Sequence, residues 1–151
     1  VVKKGATDML LGEYEHTLDA KGRLAVPAKL REGLGGKFVI TKGLDGCLFV
    51  YDMEQWALLE QKLAALPMSL GDARKFTRFL FGGACEAECD KQGRVLLPPN
   101  LRKYASLEKD AVVVGMGNRV EIWDAQKWAE YNEANEESVN ELAEQLANLG
   151  I

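Results

Sequence analysis

The sequence contains an internal repeat, and this repeat limits the possible folds more than any other feature of the chain. The segment HTLDAKGRLAVPAKLREGL, residues 16–34, matches AECDKQGRVLLPPNLRKYA, residues 87–105, at a constant offset of 71. The following segments, residues 37–56 and 110–128, align at an offset of 72. The repeat covers about forty residues per copy, so each copy is one structural unit.

Both copies predict the same order of elements. A short strand enters a turn and a second strand leaves it; the predicted strands are 14–18 and 23–26 in the first copy, and 84–89 and 94–97 in the second. The turns are DAKGR and DKQGR, in which aspartate can accept backbone hydrogen bonds and glycine can take a positive φ. A proline then opens a short helix, and a hairpin follows.

The repeat predicts a mainly β fold with helices, of the α+β class. About forty residues cannot bury enough apolar surface to be stable alone. We therefore expect the two copies to pack as a pseudo-dimer, each supplying half of a small β-barrel. The predicted divisions are a first module at 9–56, a connecting helical pair at 57–82, a second module at 83–128, an acidic C-terminal helical tail at 129–151, and a tag or upstream extension at 1–8.

The charge distribution favours a nucleic-acid partner, although the net charge of -4 taken alone does not. Residues 121–151 carry -7, whereas each window that contains a turn, 19–42 and 74–103, carries +4. No run of 18 or more apolar residues and no secretory signal is present, so we expect a cytoplasmic protein without a membrane contact.

Three stretches resemble the MraZ family, within the wider class of AbrB-like and SpoVT-like swapped-hairpin transcription factors. They are MLLGEYEHTLDAKGRLAVPAKLRE, DKQGRVLLPPNLR and VEIWDAQKW, and the resemblance extends from Met9 to about Tyr131. It implies tandem modules that form a swapped-hairpin barrel. It also implies a nucleoid-associated repressor of the division and cell-wall gene cluster, which binds short direct repeats in double-stranded DNA upstream of its own operon. Such proteins assemble into rings, of an octamer or a similar number, and need no cofactor or small-molecule substrate.

The resemblance places the DNA-contacting residues on the two turns: Lys21, Gly22 and Arg23 in the first, and Lys91, Gly93 and Arg94 in the second. We expect Arg23 to contact a base edge, because a guanidinium can bind guanine O6 and N7 together. Lys21 would bind an adjacent acceptor or a phosphate, and the Gly22 amide can approach the DNA backbone closely.

The second turn has Gln92 where the first has Lys21, so we expect Lys91 and Arg94 to bind mainly phosphates. Asp19 and Asp90 are interpreted as structuring the turns, because DNA repels a carboxylate that does not cap a turn or orient an arginine.

Arg31 and Arg102 also recur in both copies, at the end of the short helix. An arginine there can interact with the helix dipole and the last carbonyl groups, or bridge subunits through an acidic residue. A secondary contact with DNA is the further alternative.

The residues give little support to a metal site or to catalysis. Cys85 and Cys89 would share one face of a strand with Ala87, which is typical of buried small residues, and their spacing is not that of a zinc knuckle. His16, the only histidine, is more typical of a packed residue than of a ligand. We expect no enzyme, no metal and no catalytic residue.

Two other functions remain open. The doubled module could be an oligomeric scaffold that binds a protein partner, with its basic turns paired to acidic residues of the next subunit. It could also be an antitoxin-like DNA-binding regulator with a partner-binding tail. The tandem copy weakens the second alternative, because it already supplies the half that such dimers obtain from another chain.

Overall fold

The computed structural model describes residues 9–151, which form eight strands and six helices. The strands are β1 (Leu10–Thr17), β2 (Arg23–Ala25), β3 (Phe38–Lys42), β4 (Leu48–Asp52), β5 (Cys85–Ala87), β6 (Arg94–Leu96), β7 (Asp110–Gly117) and β8 (Val120–Asp124). The helices are α1 (Ala28–Leu34), α2 (Met53–Ala64), α3 (Gly71–Gly83), α4 (Pro99–Tyr104), α5 (Ala125–Asn135) and α6 (Val139–Ala147). The extension predicted at residues 1–8 lies outside the described residues.

The strands form two antiparallel sheets that interleave the two copies. The larger sheet has the order β1-β7-β8-β4-β3-β5, and the smaller sheet pairs β2 with β6. Strands β1 to β4 of the first copy correspond to β5 to β8 of the second. Exchanging the copies maps the pairing of β1 with β7 onto that of β5 with β3, and maps the pairings of β2 with β6 and of β4 with β8 onto themselves. The predicted α+β class is confirmed, while the closed swapped-hairpin barrel stays a prediction.

The strands that enter the two turns differ in length from the prediction. β1 begins at Leu10 rather than at residue 14, because it pairs with β7 along all eight of its residues. β5 has only three residues, which pair with Phe38 to Ile40 of β3. The prediction that Cys85 and Cys89 share one strand is therefore wrong, although both side chains pack against the core.

Each short helix begins one residue later than predicted. Pro27 and Pro98 occupy the N-cap positions with ψ of 141° and 148°, so the helices start at Ala28 and Pro99. Proline suits this position because its fixed φ is compatible with the start of a helix and its missing N–H group is not needed there.

One hydrophobic core spans both copies. Equivalent residues are buried in it together, each at most 7% exposed: Leu24 with Val95, Val26 with Leu97, and Leu30 with Leu101. Because the two copies contribute matching residues to one core, their apolar surfaces are buried against each other. This agrees with the expectation that one copy of about forty residues is too small to bury enough apolar surface alone.

Both hairpins lead directly into capped helices. The carboxylates of Asp52 and Asp124 accept hydrogen bonds from the amides of Gln55 and Lys127, at 2.7 and 3.0 Å. These N-caps start α2 and α5 immediately after the hairpins. α2 and α3 are the predicted helical pair. α5 begins at Ala125, within the predicted second module, and continues into the predicted C-terminal tail, which also contains α6. The predicted module boundaries stay predictions. Within residues 9–151 no helix has the length and apolar character needed to cross a membrane.

Candidate nucleic-acid interface

Asp19 organises the first turn with both of its carboxylate oxygens. Oδ1 accepts the amides of Lys21 and Arg23 at 2.9 Å each, and Oδ2 accepts Nε of Arg23 at 2.6 Å. The Asp19 carbonyl accepts the Gly22 amide at 3.0 Å. Gly22 has a φ of +83°, which residues with a Cβ rarely adopt. The aspartate and the glycine together therefore determine where the arginine leaves the turn.

The second turn repeats this geometry. Asp90 Oδ1 accepts the amides of Gln92 and Arg94 at 2.9 Å each, and its Oδ2 accepts Nε of Arg94 at 3.0 Å. The Asp90 carbonyl accepts the Gly93 amide at 3.0 Å, and Gly93 has a φ of +78°. The two turns are thus nearly superimposable in their hydrogen bonding, despite the different residues at their tips.

The hydrogen bonds keep both carboxylates ionised. The backbone hydrogen bond from Arg23, followed by those from its side chain and from the Lys21 amide, lowers the pKa of Asp19 to about 2, against a desolvation effect that raises it. The backbone hydrogen bond from Arg94 likewise lowers the pKa of Asp90. Each turn arginine therefore has a charged partner at neutral pH, which holds its Nε and orients its guanidinium.

The two terminal nitrogens of the Arg23 guanidinium take no part in its hydrogen bond to Asp19, which is made by Nε. Its side chain is 31% exposed, and in the part of the chain that the structure describes its two terminal nitrogens have no hydrogen-bond partner. The equivalent Arg94 is 29% exposed, and its Nη1 lies 3.6 Å from Oδ2 of Asp19. Two parallel donors on a held guanidinium suit bidentate contact with a guanine edge or a phosphate.

The small sheet brings the two turns together. β2 pairs with β6 so that Arg23 lies opposite Leu96 and Arg94 opposite Ala25. The pairing continues into the turns, because the Leu97 amide donates to the Gly22 carbonyl at 3.0 Å. The ion pair from Arg94 to Asp19 also crosses from one copy to the other. The two turns therefore form one surface rather than two separate tips.

Arg31 and Arg102 reach beyond their own copy. Arg31 Nε donates to the Val26 carbonyl and Arg102 Nε to the Leu97 carbonyl, both at 2.9 Å. A Cβ added to Gly22 would lie 2.7 Å from Cζ and Nε of Arg102, and a Cβ added to Gly93 would lie 2.7 Å from Nη1 of Arg31. Each guanidinium thus lies against the turn glycine of the opposite copy. Sequence analysis did not identify this contact, although the arginines and glycines recur at the same offset.

The combined surface is basic. Its cations are Lys21, Arg23, Arg31, Lys91, Arg94 and Arg102, and its two carboxylates belong to Asp19 and Asp90, so these eight residues carry +4. Lys21 and Lys91 are exposed at the two tips, whereas the two carboxylates are engaged by the turns. The surface combines exposed cations with a pair of oriented guanidinium groups, which is the chemistry that binds phosphates and base edges.

The three cysteines are buried or half-buried thiols. Burial raises the pKa of the Cys47 thiol to about 12 and also raises the pKa values of Cys85 and Cys89, so all three favour the unreactive thiol form. His16 lies on β1, opposite Ala111. Across residues 9–151, no group of three or more histidine, cysteine, aspartate or glutamate side chains is placed to hold a metal ion.

Comparison with a protein-family model and comparison with individual proteins give consistent results. The family model described as "MraZ protein, putative antitoxin-like" matches the chain twice, at residues 9–79 and 80–149. The chain is 58% identical over 143 residues to a protein of Clostridium beijerinckii named "Transcriptional regulator MraZ", covering 95% of this chain and 100% of that protein. Proteins with the same name from Desulfitobacterium hafniense strain Y51 and from a Thermoanaerobacter species are 58% and 56% identical, each with the same coverage of both chains.

Proposed function

This chain belongs to the MraZ family, and from that premise we propose that it is a sequence-specific DNA-binding regulator of transcription. The relatives' names support the role in transcription, and they denote regulators rather than enzymes. The observation that carries the DNA-binding part is the joining of two arginine-bearing turns on one surface by β2 and β6.

In this proposal the two turns have different tasks. Arg23 contacts a guanine edge, because Asp19 holds its Nε while the side chain is 31% exposed and leaves two further donors for the base. Lys21 contacts an adjacent acceptor or a phosphate. Lys91 and Arg94 bind mainly phosphates and thereby fix the register of the protein on the duplex.

The finer proposal concerns assembly and the target genes. One chain offers few phosphate contacts, and such contacts weaken steeply with salt. A ring of subunits would present many pairs of turns to adjacent direct repeats, and binding at the first repeat would raise the effective concentration at the next. We propose such a ring on short direct repeats in the promoter of its own gene, where it represses the division and cell-wall cluster by occluding the promoter.

Titration of the full-length protein with duplexes that carry one, two or four copies of its binding sequence tests this function. The sequence is first selected from random DNA with the wild-type protein, and a scrambled duplex of the same composition is the control. We expect affinity to rise with the number of copies. Equal affinity for all three duplexes would refute the multivalent mechanism, and equal affinity for the scrambled duplex would refute sequence-specific binding.

The exposed apolar residues of α6 favour a second candidate function, a regulator with a partner-binding tail. Val139, Leu142 and Leu146 are 55%, 46% and 40% exposed on this acidic helix. A tail that binds a protein would leave DNA binding to the turns. An assembled, folded protein that selects a DNA sequence and also retains a protein partner through α6 would favour this candidate over a regulator without a partner.

A further inference from the structure

Each turn glycine is part of a closed circuit of contacts that joins the two copies. The Gly22 carbonyl accepts the Leu97 amide at 3.0 Å, and the Leu97 carbonyl accepts Arg102 Nε at 2.9 Å. The Arg102 guanidinium then lies against Gly22, in the space that a Cβ would occupy. The amide and the carbonyl of one residue, Leu97, are therefore both linked to Gly22, the first directly and the second through Arg102.

The second copy has the equivalent circuit, with nearly the same distances. The Gly93 carbonyl accepts the Val26 amide at 2.9 Å, the Val26 carbonyl accepts Arg31 Nε at 2.9 Å, and the Arg31 guanidinium lies against Gly93. Both glycines are buried although they belong to turns at the surface. Each arginine thus covers the turn of the copy to which it does not belong.

We propose that Arg102 and Arg31 are positioning residues for DNA recognition, with Arg102 setting the first turn and Arg31 the second. This inference rests on the proposed DNA-binding function. It assigns neither residue to a DNA contact, because each guanidinium lies against the turn glycine of the opposite copy.

Through the backbone of the first turn, Arg102 affects the direction of Arg23, the proposed base contact. Gly22 directly precedes Arg23, so a change in the Gly22 backbone redirects the Arg23 side chain. A bidentate contact with guanine needs two nearly linear hydrogen bonds at once, and it is therefore sensitive to small rotations. Lysine cannot replace Arg102 in this role, because it lacks both the planar guanidinium and the Nε donor.

The pseudo-symmetry supplies a matched pair of variants, Arg102→Lys and Arg31→Lys. Both keep the charge and remove the same contacts, but they act on different turns. The first affects the turn that carries Arg23, and the second affects the turn assigned to phosphates. We expect Arg102→Lys to lower the preference for the selected duplex over the scrambled duplex about tenfold, the loss of one bidentate base contact. We expect Arg31→Lys to weaken both duplexes equally and to leave the preference unchanged. An unchanged preference in Arg102→Lys, or an equal loss in both variants, would overturn the assignment.

Salt dependence separates positioning from a phosphate contact. If Arg102 bound a phosphate, Arg102→Ala would reduce the slope of log affinity against log salt by about 0.9 per bound subunit. We expect the slope to stay as in the wild type while the preference for the selected duplex falls. A reduced slope with an unchanged preference would show that Arg102 is a phosphate ligand. If Arg102→Ala does not fold, Arg102→Lys is used instead to compare the preference for the selected duplex over the scrambled duplex.

Backbone amide NMR without DNA tests the contact itself. We expect Arg102→Lys to shift the Gly22 amide resonance and leave that of Gly93 in place, and Arg31→Lys to do the reverse. If the wild type prefers no DNA sequence, the proposed function fails while these shifts still test the cross-copy contact. If neither glycine responds to the opposite arginine, the positioning role is wrong even though the protein binds DNA.

Discussion

Substitution of Gly22 by alanine perturbs the contact on which the paired turns depend. The change adds one methyl group at a residue with a φ of +83°. That methyl group would lie 2.7 Å from Cζ and Nε of Arg102, closer than carbon and nitrogen atoms can approach. The matched control is Gly46→Ala, where φ is +80° and the nearest neighbour of the added Cβ is Lys127 Nζ at 3.8 Å, an ordinary contact.

Both substitutions place an alanine in a left-handed backbone conformation, but only Gly22→Ala also displaces a neighbouring side chain. A left-handed backbone costs an alanine about 1–2 kcal/mol, and this applies at both positions. At Gly22 the Arg102 guanidinium must also move away, which breaks its hydrogen bond to the Leu97 carbonyl. Such a bond contributes about 1.5 kcal/mol. We therefore expect Gly22→Ala to lower the free energy of unfolding by about 1.5 kcal/mol more than Gly46→Ala does, or about 3–6 °C in Tm for a chain of this size.

Urea denaturation at one fixed protein concentration measures this difference, because any assembly makes stability depend on concentration. The same pair of substitutions is then made in an Arg102→Ala background. There the guanidinium is absent, so we expect Gly22→Ala to cost no more than Gly46→Ala. If Gly22→Ala and Gly46→Ala cost the same in the wild-type background, the guanidinium does not occupy the space beside Gly22 and the reasoning is refuted.

Three further results are expected. The Asp19 carboxyl should titrate with a pKa of about 2 in an NMR titration, and a pKa at or above its ordinary value of 3.8 contradicts the turn geometry. Because the pKa is lowered in the folded protein, the carboxylate stabilises the fold above about pH 4, and this stabilisation is lost as the pH falls towards 2. Cys47 should resist a thiol reagent at pH 8 in the folded protein while the less buried Cys85 and Cys89 react first; equal labelling of all three would contradict its burial. Asp124→Ala should lower the free energy of unfolding by about 1 kcal/mol in urea denaturation, since it removes the N-cap of α5, and an unchanged midpoint would count against the cap.

The local features of the fold could be predicted because the residues that form them recur in both copies of the repeat. The two turns need an aspartate that accepts amides and a glycine with positive φ, and both residues stand at the same offset in each copy. The helices after the hairpins likewise begin at an aspartate whose side chain accepts the amide three residues later. Elements of this kind depend on residues a few positions apart, so their chemistry is visible in a short stretch of sequence.

Contacts between the copies could not be predicted in this way. The length of β1 depends on β7, a partner about one hundred residues away along the chain, and the three residues of β5 depend on the part of β3 with which they pair. Arg102 lies eighty residues beyond Gly22, and nothing in the short helix around it indicates that it lies against a turn. The alternatives considered for Arg31 and Arg102 were an interaction with the helix end, a bridge between subunits and a contact with DNA, and none of them included the contact with the other copy.

The Arg23→Ala variant tests the central claim, that the joined turns bind DNA and that the first of them contacts bases. Its affinity for the selected and scrambled duplexes is compared with that of Lys62→Ala, which removes one positive charge from α2, outside the turns. We expect Lys62→Ala to behave as the wild type and Arg23→Ala to lose at least about tenfold of the preference for the selected duplex. A folded, assembled Arg23→Ala protein that keeps the full sequence preference of the wild type would contradict the account.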